Sequence, residues 1–445
     1  MSDPVQAGSR KLLTVLGVTF GIAVTVGNTI GAGILREPGT IATYFPEFWP
    51  YLAIWVAGAL YALLGTNALA ELATLEPRSG GQYVFVRRAL GDYAGFIVGW
   101  SDWLSTCGTT AVVAILVGEY AVGLLPELRT EVVVALLTLA LLTLVQWTGV
   151  KSGSTAQTVT SVLKGLVLLA LVAACFILGS QNPLAPAMRV ERETPLMVAL
   201  IVSLQAVIYT YDGWSAPLYF TEELREYGRS LPRAMFGGLA AVTAIYLLLN
   251  VGFAVAVPLP TLAGKNLAAA SVAQHLFGMT ADTILRAIMV ISLVSAVNAS
   301  ILMAPRVLFA MSSDGLFWRA ATEVNKGGTP DVALLVSSLT AAAFVVTGTF
   351  KTVVAKLAFF FVANYTLSFV SLFVLRRREP QADRPYRAWG HPVTTGIALL
   401  ASIAFLVLSV IDDPINTLYA VVLLTLSIPL FSVIKSRSRI SPTEP

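Results

Sequence analysis

Two short segments of the sequence interrupt long apolar runs with residues that weaken a helix. Residues 27–34 read Gly-Asn-Thr-Ile-Gly-Ala-Gly-Ile, and each glycine costs a helix interior about 1 kcal/mol relative to alanine. Residues 209–215 place Asp212 and Gly213 about halfway along another apolar run. Helices broken at these points leave free N–H groups and free carbonyls, which bind a carboxylate and an ammonium group respectively. The two segments therefore predict a site for a zwitterion.

The elements that position these segments are predicted to be membrane-spanning helices. Hydrophobic residues make up 56% of the 445 residues and charged residues 12%, against roughly 25% charged in an ordinary soluble domain. So few polar residues cannot cover a water-exposed surface, and the outside must face lipid. In lipid, backbone polar groups must be satisfied within helices or closed barrels. The apolar runs are about twenty residues long, which excludes barrel strands of about ten alternating residues.

Glycine, proline and charged residues divide the chain into twelve predicted helices. These lie near residues 12–35, 49–75, 92–125, 131–150, 154–179, 196–219, 233–257, 280–312, 331–349, 352–375, 393–411 and 415–434. The interrupted segments fall in the first and sixth helices, the corresponding members of two sets of five. This placement is typical of an inverted-repeat transporter with broken helices at its midplane site.

The spacing of the breaks predicts a first repeat over residues 12–179, a second over 196–375 and a final helix pair over 393–434. The two halves show no residue-level similarity to each other, so the repeat is inferred only from the spacing of the breaks. Glycine also permits close contact between helices, so packing is the alternative explanation for the first segment.

The basic residues predict how the helices are oriented. They concentrate on the side of the N-terminus, and the opposite side carries only Arg36, Arg129, Arg189, Arg192, Lys265 and Lys351. An excess of Lys and Arg marks the cytoplasmic side, so the tails 1–11 and 435–445 are expected in the cytoplasm and the protein in the plasma membrane. No cleavage site follows a short apolar segment, so the first helix is expected to be retained.

The net charge of +4 is explained by this orientation, and acidic phospholipid headgroups of the bilayer are the expected partners, not nucleic acid. Residues 77–88, in the first inner loop, mix apolar residues with arginine. We expect this segment either to lie along the membrane surface or to be a simple connector.

Several separate motifs occur in one order along the chain. Gly31-Ala32-Gly33 with Pro38 is followed by residues 77–91, Tyr211-Asp212-Gly213-Trp214, Thr221-Glu222-Glu223, Leu231-Pro232-Arg233-Ala234, residues 298–315 around Arg306, and residues 384–392. Over most of its first ten helices the sequence thereby resembles the amino acid-polyamine-organocation superfamily, and within it the L-amino acid transporter family. The resemblance implies an all-α, twelve-helix, leucine-transporter-like fold with a 5+5 inverted repeat. It also implies transport of L-amino acids by alternating access.

The resemblance also assigns roles to residues by position. The amides of Ala32 and Gly33 would take the substrate carboxylate, and the carbonyls of Thr29, Tyr209 and Asp212 would take its α-ammonium group. The Tyr209 ring would close over the substrate from outside. The predicted substrate site comprises Thr29, Ile30, Gly31, Ala32, Gly33, Tyr209, Tyr211, Asp212 and Gly213.

Lys164 lies about ten residues into the fifth predicted helix and therefore near the bilayer centre. A lysine at this depth costs about 3 kcal/mol unless it is paired, hydrated or neutral. We hypothesise that its ammonium group takes the place of the sodium ion of ion-coupled relatives. It would tether the unwound first helix through a carbonyl near Gly27, with Ser300 or Asn298 as a further partner. Two roles stay open: a proton carrier that couples transport, or a static structural cation.

Other intramembrane charges also have two interpretations each. Asp212 either complements a cationic substrate side chain or only stabilises the break. Asp102 and Arg306, nearer the inner side, either form gating ion pairs or reach loops and the interface.

These features favour a secondary amino acid carrier, either a sodium-independent exchanger or a proton-coupled symporter. No Gly-x-x-x-x-Gly-Lys-Ser/Thr loop is present, so ATP does not drive it directly. The two histidines, His275 and His391, lie in predicted loops without a nucleophile beside them, which disfavours an enzyme. No cofactor or metal is expected. A membrane amino acid sensor or channel-like protein is the alternative from another class.

The two cysteines, Cys107 and Cys175, lie within predicted helices and imply no disulfide framework. Animal members of the family use a cysteine between the third and fourth helices to link to a glycoprotein partner. Residues 126–131 contain no cysteine, so no disulfide-linked heavy chain is expected.

Overall fold

The structure is a computed structural model that describes residues 12–128, 130–179, 194–265, 267–347 and 350–412, with isolated positions between 425 and 434. The tails 1–11 and 435–445 and most of the predicted twelfth helix lie outside these residues. The described helices are α1 Val18–Thr29, α2 Gly33–Tyr44, α3 Phe48–Leu75, α4 Gln82–Leu90, α5 Asp92–Leu124, α6 Glu131–Trp147, α7 Val150–Leu178, α8 Leu196–Tyr211, α9 Tyr227–Ala256, α10 Ala268–Phe277, α11 Ala281–Ser313, α12 Asp331–Thr347, α13 Phe350–Arg378 and α14 Val393–Asp412.

The lengths of these helices confirm an all-α polytopic membrane protein. Within the described ranges, eight helices are long and apolar enough to cross a membrane, and the bent pair α1–α2 makes a ninth. Helices α6 and α12 are also apolar and have 17 residues each, close to the minimum for a crossing. The first crossing ends at Tyr44 rather than near residue 35, because α2 continues it beyond the break. The count of twelve crossings stays a prediction.

Helix α11 lies at the centre of the packing, in contact with α1, α5, α7 and α12. The outer faces of the peripheral helices are apolar and exposed. Leu137, Leu141 and Leu144 on α6 and Leu166 on α7 are each at least 60% exposed. Leaving one such side chain in water costs about 1.5–3 kcal/mol, so these faces are lipid-facing.

The structure contradicts one of the two placements that were predicted for the first inner loop. Its residues 82–90 form α4, which packs inside the protein against α5 and α13 instead of lying on the membrane surface. Tyr83 and Phe85 are buried, and Arg87 pairs with Asp314 at 2.9 Å. The apolar face that suggested a membrane contact is therefore satisfied by protein.

A buried acid fastens the motif of residues 384–392 to the helices. Glu71, fully buried on α3, pairs with Arg376 at 2.6 Å and with Arg384 at 3.0 Å. Its carboxylate also accepts a hydrogen bond from the Ala388 amide at 2.7 Å. The segment between α13 and α14 is thereby held against α3.

Candidate functional site

The first break separates α1 from α2, whose axes differ by 50°. Helix α1 ends at Thr29, Ile30 has an extended backbone, and α2 begins at Gly33. The N–H groups in the first turn of α2 and the last carbonyls of α1 therefore lack partners within their helices. These groups lie where the sequence predicted them.

The Lys164 side chain, on α7, engages two carbonyls at this break. Its Nζ donates to the Gly27 carbonyl at 2.8 Å and to the Ile30 carbonyl at 2.5 Å, and the side chain is fully buried. The Ser292 hydroxyl, on α11, also donates to the Ile30 carbonyl, at 3.3 Å. In the part of the chain that the structure describes, two carbonyl oxygens thus hold the Lys164 amino group against the unwound backbone.

Ser300 and Asn298 have different partners from those predicted. Within the described residues neither is bonded to Lys164: the Asn298 amide donates to Gln157 at 2.8 Å, and the Ser300 hydroxyl donates to the Ala296 carbonyl at 3.1 Å. The difference follows from the position of α11, which passes the first break with the turn that carries Ser292.

The second break follows α8, which ends at Tyr211. Asp212 is extended, and Gly213 has a φ of 113°, a value that residues with a side chain rarely adopt. A 3₁₀ segment, Ala216–Glu223, continues the crossing. A Cβ atom at Gly213 would lie 2.9 Å from backbone atoms of Thr29, so the two breaks are in direct contact.

Tyr246, on α9, lies between the two breaks. Its hydroxyl oxygen is 2.8 Å from the Thr29 carbonyl and 2.9 Å from the Thr210 carbonyl, and the residue is fully buried. A hydroxyl has one proton to donate, so it can bond either helix end. Sequence reasoning missed Tyr246, because a tyrosine within an apolar run gives no sign of what its hydroxyl contacts.

A cavity of about 400 Å³ borders both breaks. Predicted site residues in its lining are Thr29, Gly31, Ala32, Gly33, Tyr209, Asp212, Gly213 and Ser300. The lining also includes residues that the sequence did not single out, among them Gln82, Thr106, Thr109, Met303, Phe361 and Tyr365. These come from α4, α5, α11 and α13, whose approach to the breaks is set by tertiary packing.

Ile30 and Tyr211 were predicted to contact substrate but do not line this cavity. The Ile30 side chain is fully buried, and only its carbonyl takes part in the site, through Lys164. The Tyr211 ring packs against Tyr246 with centroids 4.9 Å apart. Both side chains therefore pack around the breaks in this structure, and their contact with substrate stays a prediction.

The Asp212 carboxyl has a tyrosine as its side-chain partner. Its Oδ1 accepts a hydrogen bond from the Tyr365 hydroxyl at 2.7 Å, and the Tyr365 ring stacks on Trp214. No described Lys, Arg or His forms an ion pair with Asp212, although Asp212 lines the cavity. The carboxyl is therefore available to a positive group that enters the cavity.

The two ends of the cavity differ. At one end Tyr209 is 38% exposed, and Arg36 and Glu37 of α2 form part of the wall. We call this the open end. Tyr209 is therefore the more exposed boundary of the cavity.

The opposite end, which we call the closed end, is sealed by backbone and charged groups. The Leu16 amide donates to the Glu223 carbonyl at 2.9 Å, and the Arg225 amide donates to the Leu16 carbonyl at 3.0 Å. Arg306 forms a bidentate pair with Glu223, at 2.5 and 2.8 Å, and both are buried. Arg306 is thus an internal ion-pair partner that does not reach the interface.

The groups in the cavity are suited to binding rather than covalent chemistry. Neither His275 nor His391 lines it. Among the described residues, no group of three or more His, Cys, Asp or Glu side chains is arranged to hold a metal ion. The available groups are backbone amides and carbonyls, hydroxyls, carboxylates and apolar surface.

The contact between the breaks predicts the effect of a single methyl group. Gly213→Ala is expected to lower stability by about 1–3 kcal/mol, because it strains the backbone and presses on Thr29. Gly165→Ala on α7 is the matched control, since no atom lies within 4 Å of its added Cβ. The measurement is the temperature at which each purified variant loses its monodisperse peak in detergent. Equal temperatures for the two variants would contradict the contact.

Comparison with known proteins agrees with this architecture. The family described as amino acid permease matches residues 11–431. The human b(0,+)-type amino acid transporter 1 is 26% identical over 408 residues, which cover 90% of this chain and 83% of that protein. The serine/threonine exchanger of Bacillus subtilis is 25% identical over 435 residues, or 95% and 97% of the two chains.

A third relative, the human large neutral amino acids transporter small subunit 2, is 27% identical over 426 residues, or 88% and 79% of the two chains. These relatives are transporters and not enzymes, and they support amino acid transport by this chain. This chain, with its two touching breaks and shared cavity, therefore belongs to the amino acid permease family, as a member of the amino acid-polyamine-organocation superfamily and its L-amino acid transporter branch.

Proposed function

We propose that the protein is a sodium-independent exchanger of L-amino acids that works by alternating access across the plasma membrane. The observation that carries the proposal is the contact of two helix breaks beside one cavity of about 400 Å³. Unpaired amide and carbonyl groups at such breaks fit the two charges of a zwitterion. The Bacillus relative is a serine/threonine exchanger, which supports exchange as the mode.

The substrate backbone is proposed to bind between the two breaks. The amides of Ala32 and Gly33, at the start of α2, receive the carboxylate, because an N-terminal first turn favours negative charge. The carbonyls of Thr29, Tyr209 and Asp212 receive the ammonium group. Thr29 shares its carbonyl with the Tyr246 hydroxyl. The exposed Tyr209 ring then closes over the bound substrate from the open end.

The cavity wall favours neutral side chains. Val112, Val113, Leu116 and Met303 supply apolar surface to the lining, and Thr106 supplies a hydroxyl. A neutral side chain brings no charge of its own that this apolar part of the wall would have to compensate.

A second group of substrates, the cationic amino acids, is favoured by Asp212. Its carboxyl lines the cavity, and no ion pair with a described cation compensates its charge. A lysine or arginine side chain would supply that cation.

Lys164 is proposed to make sodium unnecessary. Its ammonium group lies between two backbone carbonyls of the first break, the ligand type that a sodium ion would use. A cation fixed to α7 holds this backbone in every cycle without being taken up from solution.

The wider organisation is proposed to follow the inverted repeat. Residues 12–179 and 196–375 form the two repeats, 393–434 the final pair, and both tails are cytoplasmic. Cys107 and Cys175 are buried on α5 and α7, where neither can reach a partner chain, so no disulfide-linked heavy chain is proposed.

Counterflow in proteoliposomes tests the function. Vesicles are loaded with one unlabelled amino acid and diluted into a trace of the same labelled amino acid, over a panel of neutral and cationic substrates. An exchanger accumulates label only when its internal partner is present, and replacing sodium by potassium leaves the rate unchanged. A channel or sensor gives no accumulation for any member of the panel, and a proton symporter takes up label without an internal substrate; either result would reject exchange.

The tether is tested by Lys164→Ala. The loss of two charge-assisted hydrogen bonds at the first break is expected to lower counterflow at least about tenfold, because each is worth roughly 1.5–3 kcal/mol. Lys151→Ala, at the exposed start of the same helix, is the control and keeps its rate. Wild-type counterflow in Lys164→Ala would remove the proposed role.

The role of Asp212 is tested by competition. In Asp212→Asn, arginine is expected to compete for labelled neutral substrate about tenfold or more weakly, because a charged hydrogen bond is replaced by a neutral one. Glu37→Gln removes another carboxylate from the lining and serves as the control. Unchanged arginine competition in Asp212→Asn would exclude recognition of cationic side chains by this acid.

A further inference from the structure

A further acid, Asp102, is buried in the protein and has no role in the substrate site. Asp102, on α5, is 1% exposed, and its two carboxyl oxygens lie 2.8 and 2.9 Å from the hydroxyl oxygen of Tyr219. Tyr219 itself is 3% exposed and lines the cavity. The pair therefore connects the interior of α5 to the cavity through a single hydroxyl.

The number of protons available limits what this pair can be. Two short O···O contacts need two protons if each is a hydrogen bond, and a tyrosine hydroxyl supplies one. A second proton on the Asp102 carboxyl, donated back to the Tyr219 oxygen, would give each contact its own hydrogen, whereas without it the two carboxyl oxygens share the single hydroxyl proton. A neutral carboxylic acid satisfies both contacts, whereas a carboxylate leaves two acceptors facing one donor.

No charge nearby compensates an ionised Asp102. Its carboxyl forms no ion pair with a cation in the described part of the chain. Tyr219 and Asp212 are the titratable groups that act on it. On the helices packed against α5, Tyr83 of α4 bonds to Asp314, Tyr365 of α13 bonds to Asp212, and Arg306 of α11 is paired with Glu223. Helices α6 and α12 each carry their one charged residue, Glu131 or Asp331, at the first position. A negative charge at Asp102 would therefore be buried within a crossing without an opposite charge, which is unfavourable.

The 3₁₀ segment that carries Tyr219 also carries the seal of the closed end. Tyr219 lies one turn before Glu223, whose carbonyl bonds to Leu16 and whose carboxylate pairs with Arg306. Opening this end requires the segment to separate from α11 and from the chain at Leu16. Tyr219 would then withdraw from Asp102 and admit water to the acid.

We propose that the Asp102–Tyr219 pair binds one proton, and that this proton is required for the closed end to seal. The inference rests on the proposed exchange function, because the seal must form once in every cycle. Exchange is then supported while Asp102 is protonated and is lost as rising pH removes the proton. The ligand of this site is the proton alone.

The test measures counterflow at equal internal and external pH, in steps from about pH 5 to about pH 9. Wild-type exchange is expected to fall by up to about tenfold per pH unit above a midpoint, the limit for loss of one proton. Asp102→Asn keeps a donor and an acceptor for Tyr219 without a removable proton, so its ratio of rates at low and high pH is expected to be near one. Glu119→Gln, which removes an acid from the other end of α5, is the matched control and keeps the wild-type profile.

Tyr219→Phe provides a second variant that retains Asp102 should Asp102→Asn fail to fold. Removing the hydroxyl is expected to move the midpoint of the profile, since the acid loses its partner. An unmoved midpoint in this variant, or a wild-type profile in Asp102→Asn, would overturn the proton site while leaving exchange intact. Absence of counterflow at every pH in the wild type would instead reject the exchange function itself.

Discussion

The structure depends on satisfying main-chain polar groups at the points where two helices stop inside the membrane. Lipid offers them no hydrogen bonds, so each exposed amide or carbonyl must find a partner in the protein or in a substrate. Lys164 takes the carbonyls of Gly27 and Ile30, and Tyr246 lies between the ends of α1 and α8. The first turn of α2 has no such partner within its helix. That unmet demand is the reason why the substrate carboxylate is proposed to bind there.

The charged residues of the interior follow the same logic. Glu71 is neutralised by Arg376 and Arg384, and Glu223 by Arg306. Each of these pairs also joins segments that are distant in sequence, so its desolvation is offset by the contacts it fixes. Asp212 and Asp102 are different, because tyrosine hydroxyls are their side-chain partners. Acids that are left with neutral partners are free to respond to a substrate or a proton.

The sequence predicted the parts of this arrangement that one segment determines. Glycines and an acid within apolar runs marked both breaks, and the position of Lys164 along its run placed it at their depth. The partners of a buried side chain are set by how helices pack, which no single segment specifies. Tyr246, Tyr365 and the inward placement of α4 were therefore missed, and Asn298 was assigned to the wrong neighbour. For the same reason, the direction of the Tyr211 side chain could not be predicted: its ring packs inside the protein and does not line the cavity.

The closed end has a consequence for how its sequence can vary. Leu16 is joined to Glu223 and Arg225 through amide and carbonyl groups, as in a parallel β-bridge. Main-chain bonds of this kind are formed by any residue that keeps its N–H. Leu16 is buried, so packing also restricts its side chain, whereas Arg225 is exposed and natural variants can differ widely in side chain at position 225. Proline is the exception, since it has no amide proton to donate. Selection at position 225 should therefore act against proline and tolerate the other amino acids.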